Sequence, residues 1–384
     1  MSLFLVIYFI LLLAFGVIYI MLIGGYTLGW YMLSTYTAKT NKTYSTKATI
    51  IIPARNEEEN IQLSLFDLVN QSISPSNFEI VVVDDNSTDQ TSLMVEETIN
   101  QNPGVKISLI KLKDGELNTP YKKNAILEGI ENSTGELIIT TDADCRFSEN
   151  WLSTLLNFYE NEKPKMIVGP VSFHNDETFF EKLQTIEFLS LIAVTGGAVR
   201  INKPIMCNGA NLAYEKKTFY EAGGFGDDRF SSGDDVFLLL KIRKLFGNKS
   251  IRFLKNHNAI VYTEPKKNLK EFIHQRIRWA SKNKGYDANI LIVSFSVYMV
   301  NLLLIIGVVY AIFNPELFYL IALLVFAKAL IDVPILFGIF HFIKQKKALL
   351  LAFPLVVLYP IYIVLTGALG IVSQYQWKGR NVKI

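Results

Sequence analysis

The chain has 384 residues and a net charge of +3; half of its residues are hydrophobic and 12% are aromatic. So small a charge excess gives no basis for binding nucleic acid, and the apolar content is that of a protein with several membrane spans. Its two cysteines, Cys145 and Cys207, are far apart and in no ligand spacing, which argues against a disulfide framework or a zinc site and fits a reducing compartment.

Residues 1–34 carry no charged side chain, a run longer than the roughly 20 residues that cross a bilayer. A basic start and a small-residue cleavage site are both missing, so residues 1–37 are expected to form a permanent transmembrane anchor. Lys39, Lys42 and Lys47 follow at once, which points the next segment to the cytoplasm. Apolar stretches near 290–313, 316–341 and 349–373 predict about three further transmembrane segments within 289–374, then a basic tail at 375–384. Asn314-Pro315 and the stretch Lys344-Gln345-Lys346-Lys347 separate them. Three full spans would leave the tail outside, whereas its Lys378, Arg380 and Lys383 argue for inside. Lys328, Asp332 and Pro334 in the middle segment, and Pro354 and Pro360 in the last, suggest a broken or re-entrant segment that would restore parity.

Between these ends, residues 38–288 read as a cytoplasmic domain. Short apolar runs at 49–52, 79–83, 137–141 and 166–169 alternate with helical stretches around 57–70, 89–101 and 121–131. Continuous apolar strands alternating with helices predict an α/β fold, a mostly parallel Rossmann-like sheet with helices on both faces. Ligands of such sheets bind beyond the carboxyl ends of the strands, where the acidic motifs fall.

The third strand runs into Asp142-Ala143-Asp144, two hard oxygen ligands placed where a divalent cation can meet a diphosphate. The first exits into Pro53-Ala54-Arg55-Asn56-Glu57-Glu58-Glu59, with Asn56 expected to cap a helix whose positive end suits the glutamates. The second exits into Asp84-Asp85-Asn86-Ser87-Thr88-Asp89; an aspartate here can accept from a base N–H, or simply cap the next helix. In Lys122-Lys123-Asn124-Ala125 a lysine opening a helix can face a phosphate, although Lys123 alone also reads as a solvated surface residue. Gly233-Asp234-Asp235 starts an apolar helix; the two carboxylates are dipole partners, and Asp235 is also a candidate general base. In 267–284, Leu269, Phe272, Ile273, Ile277 and Ala280 share one helical face, with Gln275, Arg278 and Trp279 on the other. That segment, and a second near 177–199, are expected to be interfacial helices, though a buried core helix explains the second equally well.

In this order the motifs Pro-x-x-Asn-Glu, Asp-Asp-x-Ser-x-Asp, Asp-x-Asp, Asp-Asp and Gln-x-x-Arg-Trp resemble the membrane-integrated family 2 glycosyltransferases of GT-A fold. The last is similar to the motif of ceramide-glucosyltransferase-like enzymes and of processive polysaccharide synthases. The resemblance covers 49–279 and implies a nucleotide-sugar pocket containing Pro53, Glu57, Asp84, Asp85, Lys123, Asp142, Gly209 and Asn211, with Asp85 on the uracil. It implies Mg²⁺ or Mn²⁺ on Asp144 helped by Asp142, and catalysis by Asp235 with Asp234 in place of the usual glutamate. Gln275, Arg278 and Trp279 would hold the pyrophosphate and the acceptor end, and Trp377 and Arg380 resemble a closing lid. The implied enzyme is an inverting hexosyltransferase of the cell membrane, moving sugar from a UDP-sugar donor to a lipid acceptor. A processive synthase extending a growing glycan uses the same motifs, and a catalytically inactive membrane scaffold of this fold is the reading from another class. Partners would be the donor, the acceptor and membrane lipid, with no nucleic acid.

Overall fold

The computed structural model of the chain describes residues 3–39, 43–112, 121–226, 233–281, 285–345 and 350–372, and the backbone of 375–377 and 380–382. It divides into two compact units, each assembled from separate stretches of chain. One comprises 1–32, 176–201 and 266–384; the other comprises 33–175 and 202–265.

The second unit is the α/β domain. Its strands are β1 (Ala48–Ala54), β2 (Phe78–Asp84), β3 (Ile107–Lys111), β4 (Leu137–Thr140), β5 (Met166–Val168), β6 (Val171–Phe173), β7 (Leu212–Glu215), β8 (Ile251–Phe253) and β9 (Val261–Thr263). Seven form one sheet in the order β3-β2-β1-β4-β7-β5-β8, with only β7 antiparallel to its neighbours; β6 and β9 pair separately. The four strands expected from apolar runs are β1, β2, β4 and β5. β5 is not beside β4, however, because β7 is inserted between them. The helices are α2 (Ile61–Val69), α3 (Thr91–Gln101), α4 (Tyr121–Glu131), α5 (Trp151–Glu162), α7 (Lys216–Glu221) and α8 (Asp234–Phe246). Gly129 lets α4 lie directly on β1: a Cβ there would come 2.6 Å from Ile51 Cγ2. From β1 the strand order runs one way to β2 and the other way to β4, which opens a crevice at their carboxyl ends.

The capping role expected of Asn56 is not observed. α2 begins at Ile61, and Asn56 adopts a positive φ of 51° that turns the chain after β1. Its Oδ1 instead accepts from Thr88 N at 2.8 Å, joining the loops that leave β1 and β2.

The first unit contains α1 (Leu3–Met32), α6 (Phe179–Arg200), α9 (Leu269–Ala280), α10 (Ala288–Phe313), α11 (Phe318–Phe342) and α12 (Phe353–Val372), then a hairpin of β10 (Tyr375–Trp377) and β11 (Arg380–Val382). Three helices, Leu3–Met32, Ala288–Phe313 and Pro315–Phe342, are long and apolar enough to cross a membrane; α12 carries a shorter apolar stretch, Val357–Gly370. Pro334 and Pro360 lie inside continuous helices, so neither segment is broken where the prolines suggested. The charges in α11 satisfy one another: Lys328 Nζ lies 2.8 Å from Asp332 Oδ2, and Tyr19 of α1 donates to Asp332 Oδ1 at 2.6 Å.

Of the two descriptions open for the segment near 177–199, the structure favours the buried one. α6 is enclosed over most of its length and meets α1 backbone to backbone. A Cβ on Gly29 would be 2.2 Å from Gly197 O, and one on Gly197 would be 2.1 Å from Tyr26 O, so only glycine permits this approach. On α9 the buried residues are Phe272, Arg276 and Ile277, whereas Leu269 at the helix start is exposed. The expected apolar face therefore shifts, and includes an arginine.

Candidate active site

At the end of β2, Asp84 is spent on the turn. Its Oδ1 accepts from Ser87 N at 2.9 Å and its Oδ2 from the Ser92 hydroxyl. Asp85 Oδ1 accepts from Asn86 Nδ2 at 3.4 Å. It is buried, and its own backbone N–H donates to Ala54 O at 2.9 Å. Arg55, to which sequence reasoning assigned no role, donates from Nη1 to the carbonyls of Asp85 and Asn86 at 2.5 and 2.9 Å. Glu57 is half-buried beside this turn, with its N–H donating to Thr91 Oγ1 at 2.8 Å; Pro53 is half-buried in β1.

β4 delivers the Asp-x-Asp pair, and α8 delivers the second acidic pair. Gly233 takes a φ of 96° to start α8, and a Cβ there would meet the Phe237 ring at 2.7 Å. Gly209 is where the two groups meet. Its N–H donates to Asp235 Oδ2 at 3.2 Å, and its carbonyl accepts from Thr140 Oγ1 at 3.1 Å. An added Cβ on Gly209 would stand 3.4 Å from Asp234 Oδ2 and 3.8 Å from Lys122 Nζ.

Lys122 bridges the carboxylates. Its ammonium lies 2.5 Å from Asp142 Oδ1 and 4.0 Å from Asp234 Oδ2. Burial works to lower its pKa, but Asp142, Asp234 and Asp235 outweigh it and hold the ammonium charged well above its ordinary range. The phosphate-facing role expected of Lys123 is thus better suited to its neighbour. Lys123 is fully buried rather than solvated, with Nζ 5.3 Å from the centroid of the Phe237 ring. Two adjacent residues on a helix point about 100° apart, and the sequence alone does not say which faces the strand ends.

Asp144 accepts from Thr263 Oγ1 at 3.1 Å through Oδ2. Burial, with Asp144 and Asp142 nearby, drives the Cys145 thiol well above its usual range, so this cysteine stays protonated and inert. Asn211, expected to border the sugar, is consumed inside the domain. Its amide donates to Pro170 O and Ala259 O at 2.8 Å each, and its oxygen accepts from Trp151 Nε1 at 3.3 Å. A donor-sugar contact from this side chain would have to replace one of these hydrogen bonds.

Gln275, Arg278 and Trp279 lie on α9 in the first unit, Arg278 and Trp279 half-buried. Trp377 and Arg380 stand opposite one another in the β10–β11 hairpin. Lys378, Lys383 and the Ser231-Ser232 stretch before Gly233 lie outside the described residues.

The donor set suits a hard divalent cation. Asp142 and Asp144 offer carboxylate oxygens two residues apart after β4, and Lys122 already holds positive charge against Asp142. Among the described residues no group of three or more His, Cys, Asp or Glu could hold a metal. A site of this kind would complete its shell with diphosphate oxygens and water, as Mg²⁺ commonly does.

Comparison with known proteins follows the same lines. The family model described as glycosyl transferase family 2 matches residues 49–223, and that of glycosyl transferase family group 2 matches residues 137–366. The probable glycosyltransferase YdaM of Bacillus subtilis (strain 168) is 28% identical over 243 residues, 62% of this chain and 55% of that protein. The undecaprenyl-phosphate 4-deoxy-4-formamido-L-arabinose transferase of Enterobacter sp. (strain 638) is 29% identical over 157 residues, 39% of this chain and 44% of that one. The chain therefore spans about half the length of these curated relatives. Among solved structures, the mannosyltransferase PcManGT from Pyrobaculum calidifontis, in complex with GDP-Man and Mn²⁺, has the same fold at a TM-score of 0.55. It is 18% identical, and the match covers 90% of this chain and 98% of that one.

Proposed function

Because this chain belongs to glycosyl transferase family group 2, and is a glycosyltransferase, we propose that it is a membrane-bound inverting enzyme moving a sugar from UDP to a lipid hydroxyl. The observation that carries this reading is the convergence of Asp142, Asp234 and Asp235 around Gly209 and Lys122, beyond the carboxyl end of β4. Asp235 is the general base. Its Oδ2 is oriented by the Gly209 N–H, and it takes the proton of the acceptor hydroxyl as that oxygen attacks the anomeric carbon. The bond from that carbon to the diphosphate breaks in the same displacement, and the electron pair leaves on the nucleoside diphosphate. With no covalent intermediate, an α-linked donor gives a β-linked product. Asp142 and Asp144 would hold Mg²⁺ or Mn²⁺, which supplies positive charge to the departing diphosphate. Lys122 adds charge there, and Asp85 with Glu57 and Pro53 lines the nucleoside pocket.

A lipid acceptor is supported by three helices long and apolar enough to span a membrane, and by similarity to a transferase named for undecaprenyl phosphate. We assign residues 38–288 to the cytoplasmic face of the cell membrane, on the strength of the lysines after α1.

The test uses the full chain in nanodiscs with Mg²⁺ or Mn²⁺, membrane lipid extract and labelled UDP- and GDP-sugars. Asp235→Asn is the blank, expected to cut transfer on the order of 10²–10⁴-fold while leaving nucleotide binding in place. Label in the organic phase supports the lipid acceptor, and large water-soluble product points to a processive synthase. Unchanged turnover in Asp235→Asn removes the base assignment.

A further inference from the structure

The most deeply buried ion pair in the first unit joins two helices that the proposed mechanism does not mention together. Arg276 of α9 and Glu187 of α6 have side chains only 2% and 5% exposed, and Arg276 Nη2 donates to Glu187 Oε2. Tyr362 of α12 donates to the other oxygen, Glu187 Oε1, at 3.1 Å. The second arm of the guanidinium, Nη1, donates to Gln275 Oε1 at 2.7 Å. Its carbon lies 4.6 Å from the Phe272 centroid and 4.1 Å from that of Trp279, both on the same helix. Nε is buried with no partner among the described residues. The group is therefore held by both ends of its fork and by two neighbouring rings.

Such a pair is not explained by stability. Two buried charges lose their hydration, and an apolar pair of similar volume usually supports a fold as well or better. What the arginine does that an apolar residue cannot is orient its neighbours. A guanidinium has no acceptor, so the end of Gln275 facing it must be the carbonyl oxygen. The amide NH₂ of Gln275 is then directed away from Arg276, as a donor for an anionic oxygen. Trp279 is held by the same cation and by Phe188, whose ring centroid lies 6.1 Å away.

We infer that Arg276 is a positioning residue for the Gln-x-x-Arg-Trp segment, anchored by Glu187 and Tyr362 so that Gln275 presents a donor and Trp279 a fixed ring to the substrate. This rests on the reading that Gln275, Arg278 and Trp279 bind the pyrophosphate and acceptor end. Lysine is no substitute, because a point charge on a flexible stem can pair with Glu187 but cannot hold Gln275 and Trp279 at once.

The discriminating protein is the apolar replacement Glu187→Leu/Arg276→Met/Tyr362→Phe in nanodiscs, measured beside wild type and Asp235→Asn. It should fold with a thermal midpoint at or near wild type. Its kcat should fall on the order of 10- to 100-fold, as misplaced substrate-positioning groups do, with UDP affinity weakened by no more than about tenfold, the loss of one donor to the diphosphate. A folded triple variant with kcat within about twofold of wild type overturns the inference and leaves the pair as packing alone. If the triple variant does not fold, Arg276→Lys decides by the same split, since it keeps the charge facing Glu187 and loses only the fork and its ring contacts. Failure of the underlying functional reading shows differently, as wild-type transfer that survives Asp235→Asn.

Discussion

Lys122 is the residue on which the acidic site turns. It faces three carboxylates that would otherwise repel one another across the end of β4, and its ammonium is close enough to Asp142 to occupy the place a divalent cation would take. Under the proposed mechanism, a metal held by Asp142 would displace Lys122 and free it for a phosphate oxygen. Lys122→Met should weaken UDP binding in the presence of Mn²⁺ about tenfold, the loss of one charge-assisted contact. Titration calorimetry reads this directly, and unaltered affinity would restrict Lys122 to balancing the charge of the three carboxylates. At this scale the chemistry was legible wherever it was local. Asp85, the Asp142–Asp144 pair and Asp235 all follow short apolar runs or open a helix, and strand-end carboxylates announce themselves in sequence. The choice of Lys122 over Lys123, the internal duty of Asn211 and the pairing of Arg276 with Glu187 depend on side-chain direction or on contacts between distant segments. No local pattern encodes those.

At the scale of elements, β1 and β2 are locked at the edge opposite the site by a buried carboxylate. Glu79 on β2 accepts from Thr49 Oγ1 of β1 at 2.7 Å, from the Thr134 N–H, and from Lys106. Burial works to raise its pKa, but Lys106, Thr134 and Thr49 together hold it down at about 2, below its ordinary value of 4.5. A depressed carboxylate stabilises the fold above the unfolded pKa and loses that contribution as pH falls through the folded one. The domain should therefore lose stability between about pH 4.5 and about pH 2, and Glu79→Gln should be less stable at neutral pH yet flatter across that window. Thermal unfolding followed against pH checks both, and an equally steep wild-type and variant profile would assign acid sensitivity elsewhere. The parallel core strands were readable because they are continuous apolar runs. β7 was not, since its insertion between β4 and β5 is a pairing between residues roughly 45 to 75 positions apart. In the helical unit the corresponding lock is steric. Gly197→Val would drive a side chain into the Tyr26 carbonyl, and overpacking of this kind costs about 1–3 kcal/mol. The expected result is a lower unfolding midpoint in detergent with the nucleotide affinity of the α/β domain retained.

At the scale of the whole molecule, the chain passes between its two units four times, so neither is an excisable segment. Sequence hydropathy drew one block, 38–288, between an anchor and a terminal bundle; in the structure 176–201 and 266–288 group instead with the helical unit. At 176–201 the chain leaves the α/β domain to contribute α6 to the helical unit, where it packs on α1 and α11. The glycine-rich contact with α1 explains why: α6 buries Ile186, Phe188, Leu189, Ile192 and Val199, a face that water would not tolerate. Expression of residues 33–265 alone keeps α6 but removes α1, α9, α11 and α12, all of which it contacts in its own unit. Each uncovered large apolar side chain then costs about 1.5–3 kcal/mol relative to burial. That fragment should sediment with membranes or aggregate, and addition of detergent should recover it. A monodisperse, detergent-free fragment would mean that α6 does not depend on α1 and α11 for cover, and that the α/β domain carries its own boundary at Pro265. The helices of the first unit would then serve to hold the acceptor rather than to complete the fold, since α6 would stay folded without Arg276, the partner of Glu187 that lies outside the fragment.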